Sequence, residues 1–364
     1  MSTNPDQSSP NTRRIATAWR AAVSAFNHAN RVSHHALSWL LVLLVVGYFT
    51  FCAIFLGLRY VVLPNIDHYK PEVAKVASHM LNRPVTIAGI HASWSGLLPR
   101  LQLDGLVIHD EHGDSALHLP QVNATLSWST VLGSLRLHSL EVLNPDLEIE
   151  RDREGSLYVA GMRIDTSQPD DGRALEWLLA QREIVIRGGT LRWRDQMRQA
   201  PELALSGINF VLRNQWRSHQ AALHATPPAD LAAPVDVRAE FTHPAFAAHP
   251  SDYSQWSGEL YVDWQNTHLD GWKRYADLPW ELAGGDGALR AWMSFDRGVI
   301  ANVTADLALK NVSATLAPGL QPLKLVEVGG RISAGESVAG LKEKLFSFGA
   351  HGHTLTLTDF SLRT

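Results

Sequence analysis

The sequence predicts a mainly β protein: an N-terminal transmembrane helix, then an elongated, repeat-built, twisted antiparallel sheet with a few short helices. Three observations predict this class. A run from Leu37 to Leu58 carries no charge, the chain beyond Pro84 alternates apolar and polar residues with a period of two, and one eight-residue pattern recurs four times.

Composition bounds the rest. At 364 residues the chain fits roughly two domains of about 150 residues, or one long β-rich domain with something attached. Hydrophobic residues make up 45% and charged residues 19%, with 26 Gly and 18 Pro, which excludes a disordered or collagen-like chain. Four arginines against Asp6 give residues 1–36 a charge of +3, while the remainder is acidic, so a basic nucleic-acid-binding domain is excluded. Cys52 is the only cysteine, which excludes an internal disulfide, a cysteine zinc site and a CxxC redox pair.

From Leu37 the chain reads LSWLLVLLVVGYFTFCAIFLGL. At about 1.5 Å per residue this helix spans about 33 Å, enough for a hydrocarbon core of about 30 Å. A cleaved signal peptide would be shorter and would end in small residues, whereas this run continues into Leu56-Gly-Leu-Arg-Tyr60. Residues 37–58 are therefore read as an uncleaved anchor, with Trp39 and Tyr60 near its two ends. Charges close to the helix do not fix its direction. The basic head, residues 1–36, and the long acidic body together place the head in the cytoplasm and the body outside it.

The body is divided at 59–165, 166–283 and 284–364. In the first part Pro71 to Leu81 carries Val73, Val76, Ala77, Met80 and Leu81 at helical spacing. This amphipathic helix packs on its own domain, lies at the membrane surface or caps the start of a sheet. Strands follow at Val85–Ile87, Leu101–Leu103, Val122–Trp128, Leu135–Leu137, Leu147–Ile149, Ile184–Ile186 and Leu191–Trp193, each with one apolar face. Turn formers about every 8 to 15 residues suit hairpins and meanders rather than βαβ crossovers. Ala174 to Gln181 interrupts as a helix, after the polar stretch from Asp165 to Arg173 that opens the second part.

The recurring pattern is Leu101-Gln-Leu-Asp-Gly-Leu-Val-Ile108, Leu203-Ala-Leu-Ser-Gly-Ile-Asn-Phe210, Leu307-Ala-Leu-Lys-Asn-Val-Ser-Ala314 and Leu355-Thr-Leu-Thr-Asp-Phe-Ser-Leu362. The step between its apolar pairs is odd, so strict alternation would send the second pair to the opposite face. A bulge or bend at Gly105, Gly207, Asn311 and Asp359 is needed to bring it back. Such repeats stack, because none buries its apolar face alone; two ordinary β-sandwiches are the alternative. The last copy meets the end of the sequence with no cap, from which a continuation beyond Thr364 is expected.

Little here proposes catalysis. His109-Asp-Glu-His112 falls at a hairpin tip with no further ligand nearby, and His351-Gly-His353 reads as a turn. The paired acids Asp170-Asp171 and Glu148/Glu150 fall in loops or on outward strand faces. Nucleophile-elbow, P-loop and dinucleotide patterns are missing, so no catalytic residue, cofactor or metal is expected. The sequons at Asn302 and Asn311 fall in predicted strands. Of the 12 tryptophans, Trp94, Trp128, Trp193 and Trp264 have strand-like surroundings; they pack a core, meet a membrane interface or line an apolar groove.

The stretches Arg59-Tyr-Val-Val-Leu-Pro-Asn-Ile-Asp-His-Tyr69, Pro84-Val-Thr-Ile-Ala-Gly-Ile-His-Ala-Ser-Trp-Ser-Gly96 and Pro99-Arg-Leu-Gln-Leu-Asp-Gly-Leu-Val-Ile-His-Asp110 resemble the YhdP family of AsmA-like proteins. Leu126-Ser-Trp-Ser129, Asn144-Pro-Asp146, Arg151-Asp-Arg-Glu-Gly155 and Thr190-Leu-Arg-Trp-Arg-Asp195 continue the likeness, which is strongest from Arg59 to about Phe210. The resemblance implies an inner-membrane anchor and a taco-like β-groove crossing the periplasm. It also implies phospholipids as cargo, an outer-membrane or periplasmic protein at the distal end, and a role in outer-membrane integrity. It supplies no catalytic residues.

Physics asks the same of such a carrier. An acyl chain saves about 0.8 kcal/mol for each CH₂ kept from water, so its path needs a continuous apolar lining. The expected lining is Leu101, Leu103, Leu106, Ile108, Leu126, Trp128, Leu203, Leu205, Ile208 and Phe210. Two other classes stand beside this one: a membrane-tethered scaffold with closed, filled β domains, and an anchored hydrolase with a polar cleft.

Overall fold

A computed structural model describes residues 37–81, 83–110, 113–132, 136–164, 172–275, 281–315, 321–336 and 353–363. The predicted head (1–36), Glu111-His112, the polar stretch 165–171 and His351 lie outside these residues. The chain forms two compact units that meet between Asn65 and Ile66.

The first unit holds helix α1 (residues 37–57), which is long and apolar enough to span a bilayer. A wide π-turn, Leu58–Val62, and a 3₁₀ turn, Leu63–Tyr69, follow it. Pro64 accounts for the change of pitch, because its ring crowds the carbonyl four residues back and it offers no N–H. Asn65 leaves helical geometry at φ −108° and ψ 24°, and its side-chain amide donates to the Val61 carbonyl at 2.8 Å.

The second unit opens on α2 (Lys70–Leu81), the amphipathic helix expected there, with Pro71 in its first turn, where a missing N–H costs nothing. Strands β1 (Val85–Ser95), β2 (Leu98–His109), β3 (Ser115–Leu126) and β4 (Leu137–Leu143) form an antiparallel meander. A small excursion follows through β5 (Asp146–Arg151), β6 (Leu157–Val159) and β7 (Met162–Ile164) to α3 (Arg173–Ala180). The sheet then resumes with β8 (Glu183–Asp195), β9 (Leu203–Gln215), β10 (Ser218–Thr226), β11 (Val235–Thr242) and β12 (Ser257–His268). After α4 (Leu269–Trp272) come β13 (Glu281–Asp296), β14 (Val299–Thr315), β15 (Leu323–Glu336) and β16 (His353–Arg363).

Among the described residues all sixteen strands belong to one open sheet, with the path β1-β2-β3-β4-β8 and then β9 to β16 in order. It is mixed rather than purely antiparallel. The excursion through β5–β7 and α3 carries the chain back to the rim where β4 began, so β8 runs parallel to β4 and β5. Ile184–Ile186 and Leu191–Trp193, read as two strands, are two halves of β8 with register shifts around Gly189. The boundary expected at 283/284 falls inside β13, so the sheet passes through it by strand pairing.

The four predicted pivots all hold left-handed backbone: Gly105 at φ 60°, Gly207 at 59°, Asn311 at 54° and Asp359 at 49°. In β1 and β2 the buried positions switch parity there, from Val85 and Ile87 to Ile90 and from Ile108 and Leu106 to Leu103. The bend keeps the apolar residues of both strands on one face.

Candidate functional site

Register determines which residues share a side of a sheet, because paired residues point the same way. Starting at Ile90, successive partners are Leu103, Val122, Val142, Ile186, Phe210, Leu223, Val237, Val262, Ala291, Ala305, Ile332 and Leu357. Every strand on the path contributes one apolar residue to this row. A second row beside it runs through Leu101, Ala124, Leu140, Ile184, Leu212, Ala221, Ala239, Leu260, Met293, Val303 and Ala334, again without a polar member. At about 4.8 Å per strand, twelve steps make an apolar track of about 58 Å along the sheet's path.

The two ends of the track differ in cover. Over β1–β3, Val73, Ala74 and Ala77 of α2 pack onto a cluster of Ile87, Ile90, Leu103, Leu106, Ile108 and Val122, and Ile90 is fully buried. Ser78 of α2 ties this cover down: its hydroxyl donates to the Ala74 carbonyl and accepts the Val85 N–H, both at 2.8 Å. From Val142 onward the first row is only half-buried, at Phe210, Leu223, Val237, Val262, Ala291, Ala305 and Ile332 alike.

The predicted lining residues divide accordingly. Leu101, Leu103, Leu106 and Ile108 come together with α2 over them. Leu203, Leu205, Ile208 and Phe210 share the same side of β9, opposite Trp193, Leu191, Gly189 and Ile186. Leu126 closes β3 opposite Leu137. Trp128 is not in a strand: it opens a 3₁₀ turn, Trp128–Leu132, beyond the end of β3. Sequence reasoning missed the lining from β10 to β13, although Val235-Asp-Val237 and Leu260-Tyr-Val-Asp-Trp264 carry the same alternation.

Polar and aromatic groups line both rims of this face. At one rim α3 docks where Asn214 donates from Nδ2 to the carbonyls of Leu178 and Gln181, at 2.9 and 2.7 Å. That fixes Asn214 Oδ1 toward His219, whose Nδ1 lies at 2.7 Å and therefore carries the proton. His219 is fully buried, stacked against Phe241 and His243, and its Nε2 has no partner. Burial, with a smaller contribution from His243, pulls its pKa down to about 4. At the other rim Trp264 meets Trp272 of α4 edge-to-face at 4.7 Å, beside the buried Leu231 and Thr267.

The opposite side of the sheet is polar. Arg187 and Arg100 both pair with Glu141, at 2.6 and 3.3 Å, and Arg331 pairs with Asp306 at 2.6 Å. The hydrogen bond from Arg187 holds the Glu141 carboxyl below the usual range, and Arg331 does the same for Asp306. A shallow depression here is lined by Arg238, Glu240, Glu259, Tyr261 and Trp292. Glu148 pairs with Arg194, and Glu150 accepts from Gln196, so these acids are spent on surface pairing.

His109 bonds to Thr86 and to the Gly113 carbonyl, and Asp110 accepts the Asp114 N–H, so these two described members of that cluster are engaged in local hydrogen bonds. Among the described residues no three His, Cys, Asp or Glu side chains gather as a metal site. A family model described as YhdP protein matches residues 28–364. No curated protein and no solved structure matches the chain.

Proposed function

The chain belongs to the YhdP family, and from that premise we propose that its sheet carries phospholipid, with the acyl chains on the apolar track and the headgroups at the rim. The helix α1 holds the chain in the inner membrane, the basic head stays in the cytoplasm, and the sheet extends into the periplasm toward the outer membrane. One observation carries this reading: an apolar row, from Ile90 across the sheet, that continues from strand to strand yet stays half-buried from Val142 to Ile332. A protein that merely needed a core would cover such a surface, since exposed apolar area of this extent is costly in water.

The buried end over β1–β3 is what a tethering scaffold would show throughout, so the two readings part at the open end. Photo-crosslinking in cells from Leu205, Leu260 and Val303, with Ala204, Glu259 and Asn302 as controls on the polar side, separates them. Phospholipid adducts confined to the first three positions are expected. Protein adducts, or none on either side, would return the scaffold reading.

A further inference from the structure

Buried hydrogen-bond donors gather at one place on the apolar side of the sheet. Between Trp264 and Thr267 the pairing of β12 with β13 slips by one residue, and Asn266 takes left-handed backbone at φ 47°. Trp264 pairs with Leu289 and Thr267 with Gly287, two residues earlier on the same strand, so the slip brings Trp264 and Thr267 to one side. That side is the apolar one. Val235, Trp264, Leu289 and Leu307 pair in a row next to Val237, Val262, Ala291 and Ala305. Leu269 of α4 lies against Gly285 of β13, where an added Cβ would meet its Cδ1 at 3.1 Å, and Trp272 of the same helix stands edge-to-face against Trp264.

Three polar atoms of this cluster are buried with no hydrogen-bond partner among the described residues: Trp264 Nε1, Thr267 Oγ1 and Trp272 Nε1. An indole N–H can only donate and a threonine hydroxyl can donate, so a group that satisfies all three must accept, and must bring several lone pairs. The edge-to-face contact turns at most one N–H onto a ring, which is a weak substitute. Burying donors without acceptors is costly, and a cluster that served packing alone would do better with phenylalanine and valine. The rim at α3 differs, since its two orphaned atoms, Trp177 Nε1 and His219 Nε2, are one donor and one acceptor.

Charge narrows the kind of acceptor. Next to the cluster in sequence, Asp230 and Asp270 offset Lys273 and Arg274, so a free anion gains no net attraction there. An uncharged acceptor joined to hydrocarbon fits both the donors and the half-buried Val262, Leu289 and Leu307 beside them.

We propose that this cluster is a docking station for the glycerol-ester region of a diacyl phospholipid. The ester carbonyls accept from Trp264, Thr267 and Trp272, and the acyl chains lie on the adjoining apolar rows. The inference rests on the lipid-carrying reading and adds where along the sheet a lipid is held, and by which of its atoms.

The test is photo-crosslinking of the full chain in cells from Leu307, in the row of Trp264, and from Leu205 on β9, with mass spectrometry of the adducts. Thr267→Val and Trp272→Phe together remove two donors and keep most of the shape. Phospholipid adducts at Leu307 are expected to fall at least about fivefold in this double variant, while those at Leu205 stay within about twofold of the parent chain. Leu269→Val trims the packing of α4 without removing a donor and is expected to leave both signals unchanged. Equal adducts at Leu307 in parent and double variant, with lipid still captured at Leu205, overturn the station and leave the lipid-carrying reading intact. No phospholipid at either position in the parent chain overturns both. A loss in Leu269→Val as large as in the double variant assigns the effect to α4 packing and overturns the proposal. Adducts at Leu307 that contain free fatty acid in place of phospholipid overturn it too, because a carboxylate would then be the acceptor.

Discussion

Ile90 and Ile332 stand in one row of the sheet, eleven strand steps apart, yet Ile90 is fully buried and Ile332 only half-buried. The pair is a controlled comparison, with the same side chain on the same face under different cover. Ile90→Ala opens a cavity beneath α2 and is expected to cost about 2–5 kcal/mol. Ile332→Ala removes side chain that water already reaches and is expected to cost about 1 kcal/mol or less. Denaturant titration of the full chain in detergent measures both. Equal losses would mean that the far end of the track is covered too.

Gly105 sits opposite Ala88 with no room between them: a Cβ on Gly105 would meet the Ala88 Cβ at 2.9 Å, in addition to its φ of 60°. Gly207 has a similar φ of 59°, but its nearest neighbour is Thr226 Oγ1 at 3.6 Å. Gly105→Ala therefore carries both strain and a clash, and is expected to cost about 2–3 kcal/mol, against about 1 kcal/mol for Gly207→Ala. The reverse order in thermal or denaturant unfolding would remove the bend at Gly105 as the device that keeps the face apolar.

These bends show what local sequence carries. The odd step in Leu101-Gln-Leu-Asp-Gly-Leu-Val-Ile108 demands a break at Gly105, and the backbone supplies one there and in each of the three later copies. The anchor and α2 are legible for the same reason, since periodicity is a property of neighbours in the chain. The parallel pairing of Leu140 with Ile184 is not local: it depends on how β5–β7 and α3 return the chain, and no spacing records that. Nor does alternation distinguish Leu103 under α2 from Leu205 in the open part. Both read as inward-facing leucines, and only the docking of α2 separates them. Trp128 continued the period of β3 on paper, but Ser127 begins a turn, with its carbonyl accepting the Thr130 N–H at 2.9 Å.

His219 gives the fold a pH dependence of known sign. Its neutral form is favoured in the folded state, where the pKa is about 4 against an ordinary 6.5. The unfolded chain takes up the proton first as pH falls. Stability contributed by this site is therefore whole above about pH 6.5 and is lost progressively down to about pH 4. His219→Phe keeps the stack on Phe241 and removes the titration, but leaves Asn214 Oδ1 without its donor, at about 1–2 kcal/mol. Denaturant midpoints taken at pH 7.5 and 4.5 are expected to fall by less in the variant than in the parent chain. An equal fall would assign the acid sensitivity to other groups.

A carboxylate set in the middle of the track separates a path for lipid from an apolar surface that merely happens to be continuous. Leu260 lies on β12 between Ala239 and Met293, half-buried, so Leu260→Asp can turn its charge toward water without unfolding the strand. An acyl chain passing that point would meet the charge in a hydrocarbon setting, which costs about 2.5–3.5 kcal/mol and slows passage on the order of a hundredfold. Crosslinking probes at Leu205 and Val303 then sample the track on either side. Lipid adducts are expected to persist on the side that is loaded first and to fall at least about tenfold on the other, so the position that goes silent also gives the direction of transport. Tyr261→Asp, on the polar side of the same strand, is expected to leave both signals unchanged. If Leu260→Asp leaves them unchanged as well, lipid does not travel along this face, and adducts at Leu205 would mark local binding only.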